Sequence, residues 1–281
     1  MSELADQPGR EASDEVMIRL RGVRNAFGDN VIHNQLDLDI RRGEILGLIG
    51  GSGSGKSVLL KSIIGLLRPV AGQIEVGGMN ALAEDPKARE ALERRWGVMF
   101  QDGALFTSLT VLENVLVPIH EHQREVPEAQ AERLARLKIA LAALPADAGA
   151  KYPSELSGGM RKRAAVARAL ALDPQILFFD EPTAGLDPIS AAEFDQLVLT
   201  LSRSLGLTVV VITHDLDTLY TICDRVAVLG QKRILTVGPL AEVEAHPDPW
   251  IQQYFQGPRG RAAAQAQTRQ APDRNSPPQA H

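Results

Sequence analysis

The segment "GGSGSGKS", Gly50 to Ser57, constrains this chain more than any other stretch. It fits the spacing G-x-x-x-x-G-K-[ST]. Before it stands "GEILGLIG", a nearly unbroken apolar run of the kind a strand shows when both faces of its sheet are buried. After it, Lys56 to Leu67 sets Leu59, Leu60, Ile63, Ile64 and Leu67 on one face of a helix. That helix is expected to end near Arg68-Pro69, because the proline ring disfavours helical geometry in the residue before it. A strand, a glycine-rich loop and a helix in this order form an anion cradle. Glycines let the backbone come close, successive N–H groups turn inward, and the helix aims its positive end at the same charge. The expected cradle for ATP is Gly50, Gly51, Ser52, Gly53, Ser54, Gly55, Lys56, Ser57 and Val58, with Lys56 reaching the β- and γ-phosphates and the Ser57 hydroxyl on Mg²⁺.

A second segment, "QILFFDE", supplies the complementary half. Four apolar residues, Ile176 to Phe179, carry Asp180 to the carboxyl edge of a buried strand, where ligands sit in open α/β sheets. Asp180 is expected to hold Mg²⁺, and Glu181 to polarise the attacking water as general base.

The rest of the chain fits an α/β core with an insertion. "VMIRLRGV", "HNQLDLDI" (Leu36, Leu38 and Ile40 alternating with polar residues), "GQIEVGG" and "LTVVVITHD" read as strands. From about 102 to 172 the pattern turns helical. "PEAQAERLARLKIALAAL" opens with Pro127 at a first-turn position and spaces Leu134, Leu137, Leu141 and Leu144 as a helix would. The expected organisation is a polar tail over 1–15, a core domain over 16–255 with the helical subdomain inserted, and a disordered tail over 256–281. Tail arginines 259, 261, 269 and 274 read as solvated.

The 281 residues hold 30 basic and 35 acidic side chains, a net charge of -5, which speaks against a dedicated nucleic-acid binder. The one cysteine, Cys223, reads as a small buried hydrophobe. No apolar run reaches the ~20 residues that cross a bilayer, and the acidic start "MSELADQPGREASDE" lacks a signal peptide's basic and apolar regions. A cytoplasmic chain is expected, with any membrane role met through a partner.

"LSGGM", Leu156 to Met160, narrows the possibilities. It precedes an expected helix, "RKRAAVARALAL", and offers a second anion nest in Ser157, Gly158 and Gly159. One chain does not need two γ-phosphate nests for one nucleotide, so this nest is expected to close on ATP held by a second copy.

With these residues in place, Met17 to Gly238 resembles the ABC ATPase family: an α/β P-loop NTPase fold, a mixed sheet with an inserted helical subdomain. "LSGGM" is similar to that family's signature, with Met160 in place of the usual Gln. The resemblance implies that Gln101 in "MFQDG" is the glutamine that senses metal and water and faces the permease. It implies that "AGLD", Ala184 to Asp187, links two sites, and that His214 in "ITHD" is a switch histidine on the γ-phosphate. Phe27 stands where the family has an aromatic ring on adenine. "FQDGALFTSLTVLENV", "LSGGMRKRAAVARALAL" and "HPDPWIQQYFQGPRG" further resemble the ATPases of Mla/Mce-type lipid transporters. That implies a homodimer on the cytoplasmic face of the inner membrane, with permease subunits, an Mce-domain lipid-binding protein and a small STAS-type regulatory subunit. Leu105 and Phe106 are read equally as core or as a permease-docking surface. Trp250, Tyr254 and Phe255 are read equally as packing on their own domain or as an anchor on the other subunit. An ATPase for a polar solute stays open as the alternative. A soluble ABC protein of translation or repair, or a non-catalytic regulatory subunit, fits less well.

Overall fold

The computed structural model describes residues 15–101 and 103–257. The expected tails therefore lie outside the described residues, apart from 15, 256 and 257. Among the described residues, no helix is long and apolar enough to cross a membrane.

Strands β1 (Val16–Phe27) and β2 (Asn30–Arg41) form a hairpin whose two-residue turn, Gly28-Asp29, uses a positive φ of 57° at Gly28. Leu36, Leu38 and Ile40 alternate inward as their spacing requires. Strand β3 (Ile45–Ile49) is buried at every residue and leads through the glycine loop into helix α1 (Lys56–Ile63). This helix stops short of the expected end. Gly65, at φ 73°, takes the left-handed turn that ends helices, and Leu67 N–H bonds back to the Lys61 carbonyl at 3.0 Å, so Leu67 is past the helix. Then come β4 (Ala71–Val76), β5 (Met79–Asn80), α2 (Pro86–Glu93) and β6 (Trp96–Met99).

Helices α3 (Val111–His122), α4 (Glu128–Leu141) and α5 (Gly158–Ala169) pack on one another between β6 and the next strand. Pro127 caps α4 rather than opening it. Leu134 and Leu141 pack half-buried against the helical core and Leu137 is exposed, while Ala131, Ala135 and Ile139 are the buried positions of α4. The small alanines let α3 and α5 approach closely, which decides the face. Lys138, on that buried side, is paired with Asp173.

The chain returns to the core with β7 (Ile176–Asp180), α6 (Pro188–Leu205), β8 (Thr208–Ile212), α7 (Leu216–Ile222), β9 (Arg225–Gly230), β10 (Arg233–Gly238), α8 (Leu240–Glu244) and α9 (Pro249–Gln256). One sheet is antiparallel, in the order β2-β1-β4-β5. The other runs β10-β9-β3-β8-β7-β6, parallel except for β10 at its edge. The unbroken apolar runs of β3, β7 and β8 are explained by two cores. Leu46, Leu48, Ile176, Phe178, Val210 and Ile212 face α1 and the antiparallel sheet. Ile45, Leu177, Phe179, Val209 and Val211 face the helical side. Because these strands are parallel, their carboxyl ends share one edge. Close contact fixes α5 to that sheet, since a Cβ at Gly97 of β6 would meet the Ala169 carbonyl oxygen at 2.0 Å.

Candidate nucleotide site

At the end of β3 the backbone needs glycine for space. A Cβ on Gly50 would fall 2.3 Å from the Leu229 carbonyl oxygen. Gly55 caps α1 in the left-handed region, at φ 103°, and a Cβ there would meet His33 Nε2 at 2.5 Å. His33 sits beneath the loop in a buried polar chain. Its Nδ1 lies 2.9 Å from Asn25 Oδ1, Asn25 Nδ2 donates to Ser62 Oγ at 2.8 Å, and the Ser62 hydroxyl donates to the Val58 carbonyl at 3.0 Å. Burial lowers the His33 pKa to about 4, so the ring is neutral at physiological pH. This chain ties the β1–β2 hairpin to the first turns of α1.

Lys56 folds over the loop, its ammonium donating to the Gly50 carbonyl at 2.8 Å and the Gly51 carbonyl at 3.3 Å. Burial lowers its pKa, and the nearby Glu181 and Asp180 work the other way. The Ser57 hydroxyl donates to Asp180 Oδ2 at 3.0 Å, joining the start of α1 to the end of β7. Ser57 and Asp180 are hard oxygen donors, and a pair of them beside a phosphate cradle suits Mg²⁺, which takes one or two protein oxygens together with substrate phosphates.

One residue on, the backbone of Glu181 turns to φ 51°, a left-handed conformation uncommon for a side chain of this type. Such a conformation costs on the order of 1–3 kcal/mol and persists only where neighbours hold it. Here the Glu181 N–H donates to the Ile212 carbonyl at 2.8 Å. Its Oε2 lies 2.7 Å from His214 Nδ1. The His214 carbonyl accepts from the Tyr254 hydroxyl at 3.1 Å.

Phe27, at the tip of the hairpin, is 53% exposed, which suits a ring that stacks on a base. Gln101 is held through its main chain: Lys162 of α5 donates to the Gln101 carbonyl and, at 3.4 Å, to the Glu181 carbonyl. Arg168 of the same helix donates to the Gly103 and Ala104 carbonyls at 2.9 and 2.6 Å. Ser157 caps α5, its oxygen accepting from Met160 N–H at 3.2 Å, which leaves the hydroxyl proton free to donate outward. Gln101, Gly158, Ala184, Gly185 and Leu186 line one cleft of about 370 Å³. Ser157 and Gly159 line another of about 200 Å³ with Met160, Arg163 and Ser190. No residue of 50–58 borders either cleft.

The structure thus brings Lys56, Ser57, Asp180, Glu181 and His214 together at the carboxyl edge of the parallel sheet. It holds Ser157, Gly158 and Gly159 in separate clefts, one of them shared with Gln101. Trp250, Tyr254 and Phe255 pack on their own domain, with Phe255 buried and the Trp250 and Tyr254 rings stacked 5.0 Å apart. Leu105 packs against the helical core, whereas Phe106 is exposed. Sequence reasoning missed Lys162, although it stands three and seven residues before the buried Ala165 and Ala169 and so belongs to the inward face of α5. It also missed the bond from Tyr254 to His214, which no local pattern announces.

A sequence model of the family described as "ABC transporter" matches residues 33–184. The chain is 38% identical over 244 residues to the "Probable ribonucleotide transport ATP-binding protein mkl" of Mycobacterium leprae (strain TN), covering 87% of this chain and 70% of that one. It is 36% identical over 247 residues to the "Intermembrane phospholipid transport system ATP-binding protein MlaF" of Escherichia coli (strain K12), covering 88% and 91%. Among solved structures it is similar to the "Dimeric structure of a post-hydrolysis state of the ATP-binding cassette MJ0796 bound to ADP and Pi", with a TM-score of 0.72, 31% identity, and coverage of 80% and 99%. The glycine loop, the acidic strand end and these likenesses converge: the chain belongs to the ABC transporter family, as one of its ATP-binding and ATP-hydrolysing subunits.

Proposed function

We propose that two copies of this chain close around two ATP molecules, each gripped by the loop 50–58 of one copy and by Ser157, Gly158 and Gly159 of the other, and that hydrolysis drives a membrane partner. The observation that carries this reading is the meeting of Ser57, Asp180, Glu181 and His214 beside the glycine cradle. The separate clefts of the signature residues support the sharing, as does the dimeric state of the cassette that this fold resembles. Ser57 and Asp180 would hold Mg²⁺, with Gln101 completing its surroundings. Bound there, the ion would neutralise phosphate charge. Glu181 orients the attacking water and takes up its proton. Lys56, released from the loop carbonyls, meets phosphate oxygens, and His214 steadies Glu181 and the phosphate. Phe27 stacks on the adenine.

Glu181→Gln tests this assignment. Turnover is expected to fall by at least roughly a hundredfold, in the range that loss of general-base catalysis gives, while ATP binding persists and a nucleotide-trapped dimer accumulates in size-exclusion chromatography. Near-normal turnover would remove Glu181 from the chemistry.

For the cargo, phospholipid transport is the favoured reading, supported by the relative matched along 91% of its length. By that reading the chain sits peripherally on the cytoplasmic face of the inner membrane. It contacts permease subunits through the exposed Phe106 and works with an Mce-domain protein and a STAS-type subunit. Phe106 is firmly presented: buried Asn114 accepts its N–H at 2.8 Å and donates to its carbonyl at 3.1 Å. The name of the mycobacterial relative favours a ribonucleotide instead. Affinity purification from membranes decides between them: an Mce-domain protein and bound phospholipid support the lipid reading, and a polar-solute permease overturns it.

A further inference from the structure

Helix α9 carries two rows of side chains with different destinations. Asp248 caps it, accepting from Trp250 N–H at 2.9 Å, and Pro249 sets its first turn. Ile251 and Phe255, four residues apart, are buried among Ile49, Leu216, Val226 and Val228. Ile49 is the last residue before the glycine loop, and Leu216 stands two residues after His214. The second row is Trp250 and Tyr254, also four apart and stacked with their planes 19° from parallel. A Cβ on Gly51 would lie 3.5 Å from Trp250 Nε1, so this ring borders the phosphate loop. The Tyr254 hydroxyl donates to the His214 carbonyl at 3.1 Å, and His214 Nδ1 lies 2.7 Å from Glu181 Oε2. An unbroken line of contacts therefore runs from α9 to the proposed general base.

We propose that α9 is a working part of the hydrolytic site, with Tyr254 as a positioning residue that fixes the His214 main chain, and through it the Glu181 carboxylate that directs water at the γ-phosphate. This rests on the roles given above to Glu181 and His214. The bond is to a main-chain oxygen, so it sets where the His214 ring is placed rather than what the ring can donate. Burial, together with the charges of Asp215 and Glu181, raises the Tyr254 pKa, which keeps the phenol protonated and a donor at any pH where the protein works. The Trp250 ring stacks on the phenol and borders the loop at Gly51. A displacement of α9 would then be felt at both ends of the reaction: at the loop that holds the phosphate and at the dyad that directs the water.

The test is steady-state ATP hydrolysis by the full-length chain as wild type, Tyr254→Phe, His214→Ala and the double variant, with phosphate release followed on radiolabelled ATP. Phenylalanine keeps the ring stack and loses only the donor. Tyr254→Phe is expected to lower kcat roughly three- to tenfold, the worth of one hydrogen bond, and to leave the KM for ATP within about twofold of wild type. Added to His214→Ala, it should cost less than about twofold more, because its route through His214 is already cut. A general loosening of the fold would instead slow both backgrounds alike, so full multiplication of the two losses would overturn the proposal. So would an unchanged kcat in Tyr254→Phe, or a loss confined to KM. Wild-type turnover in His214→Ala would sink the role of the histidine itself. A slowed His214→Ala beside an unaffected Tyr254→Phe would sink only the part given to the helix.

Discussion

Asp195 of α6 is 3% exposed, and the Thr218 hydroxyl donates to its Oδ2 at 2.9 Å. Its other oxygen is buried without a hydrogen bond. Burial raises its pKa to about 7, with Asp215 and Asp217 adding like charge from the α7 side and Thr218 opposing. The folded value lies above the unfolded one, so the group favours folding most below about pH 4, and that contribution is lost as pH rises through about 7. Asp195→Asn is therefore expected to raise Tm at pH 8, by a stability gain on the order of 2–4 kcal/mol, and to have little effect at pH 4.5. Thermal melts at the two pH values check this; an equal shift at both would mean that the carboxyl does not titrate in this range. Nothing in the sequence singles out Asp195, because its neighbour Thr218 lies 23 residues away and one acidic residue in an amphipathic helix looks like any other. Ser57 and Asp180 are legible by contrast. Each is placed by its own flanking pattern, a glycine loop or an apolar strand, before the fold joins them.

Helix α5 does more than hold the signature serine at its start. Lys162 bridges the Gln101 and Glu181 carbonyls, and Arg168 clamps Gly103 and Ala104, so one rigid helix touches the glutamine segment and the acidic strand end together. Replacing Lys162 by Met keeps most of the buried volume and takes the ammonium from the Gln101 carbonyl, while the Glu181 carbonyl keeps the Ala184 N–H at 3.3 Å. We expect a destabilisation on the order of 2 kcal/mol, the worth of charge-assisted hydrogen bonds, with kcat falling by more than about tenfold and ATP affinity nearly kept. Denaturant melts, nucleotide titration and turnover separate these quantities; unchanged turnover in a destabilised protein would make Lys162 a purely structural tie. Element boundaries were readable where punctuation was local and misread where packing decides. Pro69 looked like the stop of α1, but Gly65 ends it four residues earlier. The leucine spacing of α4 announced a helix but not which positions are most buried: those are Ala131, Ala135 and Ile139, because a close helix–helix approach rewards small side chains. The β3, β7 and β8 strands were plain, since burial on both faces leaves no polar position to confuse the pattern.

At the scale of the whole molecule, no residue of the loop 50–58 lines the clefts that hold Ser157, Gly158 and Gly159. Under the shared arrangement proposed above, each copy would carry a floor for one nucleotide and a lid for another. Ser157→Ala is expected to abolish cooperative turnover although its own loop 50–58 is intact, and single-turnover measurements on Lys56→Ala and Ser157→Ala, separately and mixed, test this. Mixing is expected to recover a part of the activity and never all of it; full activity in a strictly monomeric preparation would contradict the shared arrangement.

The spatial split between the Ser157 cleft and the 50–58 loop also has an arithmetic of inheritance. When Lys56→Ala and Ser157→Ala chains pair with each other, both lesions fall in one pocket and the second pocket is assembled wholly from sound parts. With random pairing of equal amounts, about half of all pairs are of this mixed kind. A cell producing two different crippled alleles would thus own a population of one-stroke motors, whereas a cell producing either allele alone would own none.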